Sequence, residues 1–166
     1  MRLGLSQIID RPGESVSFSD VVDLSDLQYG TSFPVTEPVK AEGTVRNTAG
    51  VLVMKGKIST CIHGICDRCT AAFDRELEIL IDAVLVTELA NEENEDEWVF
   101  TLEGDSADLE DIVRTIFVLN MDSKLLCSDD CKGLCCRCGK NLNDGPCDCE
   151  KEIDPRLAAL KQLLNK

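Results

Sequence analysis

Ten cysteines and one histidine are the residues of this chain best suited to chemistry. Seven of the cysteines fall in residues 127–149, in the string CSDDCKGLCCRCGKNLNDGPCDC, interleaved with Gly133, Gly139, Gly145 and Pro146. Glycine and proline permit sharp backbone reversals, so several sulfurs can be turned onto one point. Four pairs have knuckle-like spacing: Cys66-x-x-Cys69, Cys127-x-x-x-Cys131, Cys135-x-x-Cys138 and Cys147-x-Cys149. Zinc takes four thiolates in a tetrahedron, and a short loop presents two sulfurs to it at a suitable angle, so two pairs close one site. The most specific pair is Cys135-Cys136-Arg137-Cys138-Gly139, because a glycine after the second sulfur lets backbone amides fold toward the thiolates.

The count allows one or two zinc ions. The preferred partition puts Cys135, Cys138, Cys147 and Cys149 on one ion, as a compact local loop, and Cys66, Cys69, Cys127 and Cys131 on another, tying the tail to the rest of the chain. The alternative is a single site of Cys66, Cys69, Cys135 and Cys138, with the other cysteines reduced. Cys61 and Cys136 fall outside the pairs; Cys61 reads as a small buried hydrophobe, and adjacent sulfurs such as Cys135 and Cys136 serve one ion poorly. His63 is a lesser candidate ligand.

The bulk numbers narrow the function classes. A formal charge of −14 repels phosphate backbones at long range, which excludes a general nucleic-acid coat and leaves local contacts or contact through a protein partner. Metal does not reverse this, since eight thiolates with two dications still carry about −4. The start of the sequence lacks the apolar core of a secretory signal, and no apolar run is long enough for a bilayer. The expected location is the cytoplasm, where thiols stay reduced and cysteines serve metal or redox chemistry rather than a disulfide framework.

Enzyme classes fail on inventory. One histidine excludes a two-histidine metalloprotease helix, and His63-Gly64-Ile65 is not the His-x-Glu of zinc deaminases. Phosphate loops, dinucleotide glycine patterns and serine nucleophile elbows are absent, so no small-molecule substrate is expected. The enzymatic alternative is a thiol redox sensor or oxidoreductase using Cys66 and Cys69. A thioredoxin-like pair opens a helix in a βαβ pattern, whereas this pair sits between two strands.

The elements that must position the sulfurs read as follows. Residues 2–18 suggest two short strands joined by Asp10-Arg11-Pro12-Gly13, and residues 20–29 a surface segment or one helical turn. Val39, Ala41, Gly43 and Val45 alternate, Asn47-Thr48-Ala49-Gly50 is a turn, and residues 51–62 form a long strand, so a β-hairpin runs into Cys66. Leu77, Ile79, Ile81, Ala83 and Leu85 make another strand, and Trp98, Val99, Phe100 and Leu102 a short buried one. Asp105 or Ser106 can cap a helix with Leu109, Ile112, Val113, Ile116 and Phe117 on one face. Asp154 and Pro155 open a second, with Leu157, Leu160, Leu163 and Leu164 as its stripe. The expected class is α+β, a mainly antiparallel sheet with two helices, organised as a β-rich domain over 1–122 and a cysteine-rich zinc-knuckle appendage over 123–166.

Taken together, Cys66-Asp67-Arg68-Cys69 between strands, Cys131-Lys132-Gly133-Leu134-Cys135, Cys138-Gly139, Asn141-Leu142-Asn143, Cys147-Asp148-Cys149 and Ile153-Asp154-Pro155-Arg156-Leu157 resemble the bacterial YceD family of large ribosomal RNA subunit accumulation proteins. The resemblance covers most of the chain in layout. It implies a non-enzymatic factor in accumulation or maturation of large-subunit (23S) rRNA, one that binds metal and is a candidate for binding nucleic acid. By matching positions, Cys66, Cys69, Cys127, Cys131, Cys135, Cys138, Cys147 and Cys149 carry over as candidate ligands. Cys136 stands where a non-cysteine, often proline, is expected. Residues 124–166 hold eight basic and seven acidic residues, so Lys132, Arg137, Lys140 and Arg156 can form a local RNA contact surface beside the knuckle. Residues 76–113 contain no lysine or arginine and 14 acids, which suits a solvated loop kept open by self-repulsion, or else a mimic of nucleic-acid charge or a dock for a basic ribosomal protein. The implied partner is an rRNA precursor or such a protein.

Overall fold

The computed structural model describes residues 1–30, 32–87 and 98–149. In chain order the elements are β1 (Arg2–Gly4), β2 (Ser15–Val22), β3 (Val39–Thr48), β4 (Val51–Ile65), β5 (Ala72–Val86), β6 (Trp98–Thr101), β7 (Ser106–Asp108), α1 (Leu109–Asn120) and a 3-10 turn, Leu142–Asp144. Strands β2 to β6 form one five-stranded sheet in sequential order. The pairs up to β4–β5 are antiparallel, and β6 lies parallel to β5. A separate antiparallel pair joins β1 to β7. The class is α+β with a mixed, mainly antiparallel sheet.

Period-2 alternation divides the sheet into two faces. Val39, Ala41 and Val45 on β3, Leu52, Met54 and Ile58 on β4, and Ile79, Ile81, Ala83 and Leu85 on β5 are buried in one core cluster with the α1 stripe Leu109, Ile112, Val113, Ile116 and Phe117. The opposite face carries exposed ion pairs: Lys40–Glu42 at 2.7 Å, Lys57–Glu78 at 3.3 Å and Lys55–Asp82 at 3.5 Å. Such solvated pairs add little stability, so burial on the other face is what holds the sheet.

Several expectations need correction. Residues 2–18 do hold two strands on either side of a turn, but the strands do not pair with each other: β1 pairs with β7 and β2 with β3. Leu5 and Ile8 are buried in the main core, and their burial draws the intervening segment under the sheet before β2 begins. Residues 20–29 are not simply surface, since β2 runs to Val22 and Leu24 is fully buried. The hairpin turn narrows to Ala49-Gly50, both at positive φ (55° and 95°), the requirement of a two-residue turn that matches strand twist. Asn47, expected in that turn, instead lies wholly buried on β3, where its Nδ2 donates to the carbonyls of Ile8 and Ile9 at 2.7 Å. The helix cap is Asp108, because residues 106–108 are taken up by β7; its carboxylate accepts from the N–H groups of Glu110 and Asp111. Two helices were expected, but the described residues contain one α-helix, and the segment opened by Asp154 and Pro155 lies outside them. The acidic run of residues 92–97 also lies outside. Among the described residues no helix is long and apolar enough to cross a membrane.

The β4–β5 hairpin is the element that reaches the cysteines. Its two strands are 15 residues each and stay paired to Ile65↔Ala72, beyond the main core. Near the other end, Gly43 and Gly56 face each other across β3 and β4, and a Cβ on either would collide with a carbonyl of the opposite strand. Gly56→Ala is expected to destabilise the fold by about 2 kcal/mol through that overlap. The check is the urea midpoint at unchanged slope; a midpoint equal to wild type would show that the strands part at no cost.

Candidate metal centre

Two foursomes of sulfur form. The Sγ atoms of Cys66, Cys69, Cys127 and Cys131 all lie within 4.8 Å of one another, and so do those of Cys135, Cys138, Cys147 and Cys149. Cys66–Cys131, Cys69–Cys127 and Cys135–Cys147 stand at 3.7, 3.6 and 3.4 Å. Four sulfurs each 2.3 Å from a central ion in a tetrahedron would be roughly 3.8 Å apart, so both clusters have the size of a metal tetrathiolate. A donor set of four thiolates suits zinc or iron and leaves no open position for a substrate, so each cluster can hold a metal ion in a structural manner.

The first cluster is built where the β4–β5 hairpin ends. Cys66 and Cys69 lie in the turn between the strands and, with Cys131, form a small buried cluster against Phe73 and Leu126, separate from the main core. The chain leaving α1 is fastened to this turn. Asp67 donates its backbone N–H to the carbonyl of Leu125 and accepts the Leu125 N–H on Oδ2, both at 2.8 Å. The Leu125 side chain is buried beside Gly64. Arg68 Nη1 donates to the carbonyls of Cys131 and Asp129 at 3.0 and 3.4 Å.

The two Cys-x-x-Cys turns repeat one backbone pattern. Cys66 N–H donates to Ala71 C=O and Thr70 N–H to Cys66 C=O; Cys135 N–H donates to Lys140 C=O and Gly139 N–H to Cys135 C=O. The residue after the second sulfur is left-handed in both, Thr70 at φ 57° and Gly139 at φ 71°. This folding aims N–H groups at the leading sulfur. Burial resists ionisation of Cys66, but the N–H groups of Cys127, Cys69 and Arg68 outweigh it and bring the thiol down to about 6. At Cys135 the N–H groups of Cys138 and Arg137, joined by the Cys147 thiol, do the same, again to about 6. Each cluster also has a sulfur that keeps its proton: the hydrogen bond to Cys69, then burial, pushes Cys127 up to about 12, and the bond to Cys138, then burial, pushes Cys149 up to about 12. A dication would take the place of those protons, so uptake would release them.

Comparison with known proteins bears on what such a site is for. The family model described as Large ribosomal RNA subunit accumulation protein YceD matches residues 54–164, a stretch holding all ten cysteines. The chain belongs to the YceD family. An uncharacterized protein of Mycobacterium tuberculosis is 28% identical over 169 residues, covering 99% of this chain and 81% of its own length. The uncharacterized protein YlbN of Bacillus subtilis is 25% identical over 169 residues, covering 100% of this chain and 98% of its own length. The Large ribosomal RNA subunit accumulation protein YCED homolog 1, chloroplastic, of Arabidopsis thaliana is 36% identical over 58 residues, 35% of this chain and 18% of its own length. No solved structure matches the chain.

In this YceD chain the eight paired cysteines fall into the two foursomes that local spacing favoured, rather than into a single site of Cys66, Cys69, Cys135 and Cys138. His63 lies in neither foursome; its Nδ1 is 2.6 Å from Asp74 Oδ1. Cys61 is half-buried on β4 and Cys136 is exposed. Of the basic residues expected at an RNA surface, Arg137 and Lys140 lie on the segment that builds the second YceD cluster, Lys140 Nζ donating to the Pro146 carbonyl at 2.8 Å, and Lys132 lies in the strip between the two clusters. Arg156 lies outside the described residues. Missed at the level of spacing were the residues between the sulfurs: Asp67 and Arg68, which fasten the tail, and Asn141 and Asn143, whose side chains order the 3-10 turn. Their signal was present in the quoted motifs, but as family pattern without a mechanism.

Asp67→Ala removes the acceptor for Leu125 N–H and is expected to cost about 1–2 kcal/mol locally. Amide exchange at Leu125 should then quicken while β4 and β5 keep their protection; unchanged exchange at Leu125 would mean that other contacts hold the segment.

Proposed function

We propose that this chain is a non-enzymatic ribosome-biogenesis factor required for accumulation or maturation of large-subunit (23S) rRNA, held in shape by two structural zinc ions. The observation that carries the reading is that one family match spans both sulfur clusters and all but the first three residues of the hairpin that positions them. Zinc is held by Cys66, Cys69, Cys127 and Cys131 in one site and by Cys135, Cys138, Cys147 and Cys149 in the other. The need for metal follows from burial: among the described residues from 121 to 149, only Leu125, Cys131 and Gly133 are buried. So little apolar burial cannot offset the entropy of ordering the segment, and metal binding supplies the missing folding free energy. Residues 1–122 are then the β-rich body and 123–166 the metal-dependent module.

The partner is an rRNA precursor or a basic ribosomal protein, met in the cytoplasm. Lys132, Arg137, Lys140 and Arg156 supply the local positive surface that an acidic chain needs for phosphate. The thiol-redox alternative is disfavoured by access: Cys66 is 0% and Cys69 4% exposed, whereas thiol exchange requires an incoming disulfide to reach the sulfur.

Native mass measurement is expected to give two zinc ions per chain, and Cys135→Ser with Cys138→Ser to give one, with fast amide exchange over residues 132–149 and an intact sheet. One ion in wild type, or unchanged exchange in the variant, would refute the two-site account. In a pull-down from its own cells, the tagged chain should enrich large-subunit rRNA precursors and ribosomal proteins, and lose them on chelation. Absence of ribosomal material, with a mixed disulfide trapped at Cys66 or Cys69, would favour redox chemistry.

A further inference from the structure

We propose that Asn143 couples the two metal sites, so that they fill and empty together rather than independently. The inference rests on the two-ion reading above. Asn143 belongs to the 3-10 turn Leu142–Asp144, which lies between Cys138 and Cys147, inside the loop of the second cluster. Its side chain leaves that loop and reaches the first cluster. Oδ1 accepts the backbone N–H of Lys132 at 2.8 Å, and Nδ2 stands 3.3 Å from the sulfur of Cys131 and 2.9 Å from Asn141 Oδ1. The orientation of the amide is fixed by its partners: Lys132 N–H can only donate, so the oxygen must face it, and the two hydrogens of the amide nitrogen are left for Asn141 and the sulfur.

The backbone follows the same route. The strip 131–135 runs between the two clusters, with Leu134 N–H donating to Arg68 C=O at 3.1 Å on the first knuckle and Leu142 N–H donating to Gly133 C=O at 2.9 Å from the second loop. Gly133 is left-handed at φ 73°, and a Cβ there would stand 3.0 Å from Arg68 O, so the strip lies tightly against the first knuckle.

A dication held by four thiolates still carries excess negative charge, and an N–H donor to one sulfur relieves part of it. The second loop holds that donor in place only when it is closed around its own ion. Filling the second site therefore tightens the first, and by linkage the first tightens the second to the same extent. Loss of an outer hydrogen-bond partner of a metal ligand costs about 10–100-fold in affinity, which sets the size of the expected coupling.

The test uses the full chain and Zn²⁺ alone, followed by native mass spectrometry during loading and during extraction by a chelator. Wild type should pass from no ion to two with a scarce one-ion species. Asn143→Asp keeps the acceptor for Lys132 N–H but turns the donor into an anion facing the sulfur; it should let the one-ion species accumulate. Cys147→Ser with Cys149→Ser removes the second site and should speed release from the first by about 10-fold, with β4 and β5 amides still protected. Loaded with Co²⁺, Asn143→Asp should also shift the sulfur-to-cobalt charge-transfer band of the first site, which loosened packing alone would not do. One-ion species in the proportion expected of independent sites, alike in wild type and Asn143→Asp, would overturn the coupling while leaving the two-ion reading intact. Wild type that never binds two ions would overturn both.

Discussion

Four sulfurs from the β4–β5 turn and from the segment after α1 meet at one point, and the described segment 121–149 is built around that meeting. Cys69 and Cys127 are 58 positions apart in sequence and their sulfurs are 3.6 Å apart. Closing a loop of that length costs chain entropy, and gathering four ionisable thiols adds repulsion once they lose protons. Asp67, Arg68 and Leu125 hold the geometry by hydrogen bonds and one buried side chain, but they leave the charge uncompensated. A cation at the centre would reduce both costs at once: it would cross-link sheet to tail and offset half of the charge on four thiolates.

The second cluster rests on the first. It has no sheet beneath it, and its cysteines are half-buried or exposed, whereas Cys66, Cys69 and Cys131 are buried. This difference accounts for the residue that closes each knuckle. The turn of the first pair is pinned by β4, β5 and Leu125, and that context holds Thr70 at a φ of 57°, where a β-branched side chain is strained. The turn of the second pair lacks such support and uses Gly139, for which the same conformation carries no strain. Asn141 and Asn143 then supply from side chains the order that a strand supplies in the first.

Charge is distributed unevenly over the chain. The outward face of the sheet carries both signs in ion pairs, Lys40–Glu42 along β3 and Lys55–Asp82 and Lys57–Glu78 across β4 and β5. The chain as a whole bears −14, so approach to RNA is opposed at long range and favoured only where basic side chains cluster. Arg137 and Lys140 lie on the segment that forms the second cluster, and Lys132 lies in the strip leading to it. The family described by accumulation of large-subunit rRNA thus includes a chain whose described basic residues after Cys131 lie among its two sulfur clusters.

The sequence by itself determined the local features. Period-2 alternation marked β3, β4 and β5, the apolar stripe marked α1, and the spacing of the cysteines, with Gly139 behind the second knuckle, marked which sulfurs are neighbours along the chain. These are legible because each depends on residues a few positions apart. Tertiary structure decided what depends on distant partners. It set β1 beside β7 rather than β2, buried Asn47 instead of leaving it in a turn, and moved the helix cap to Asp108. It also drew Cys127 and Cys131 onto Cys66 and Cys69, and turned Asn143 of one loop onto the sulfur of the other. Spacing can state how many sulfurs a loop offers, but which loops meet is fixed by the sheet that carries one pair and the helix that delivers the next.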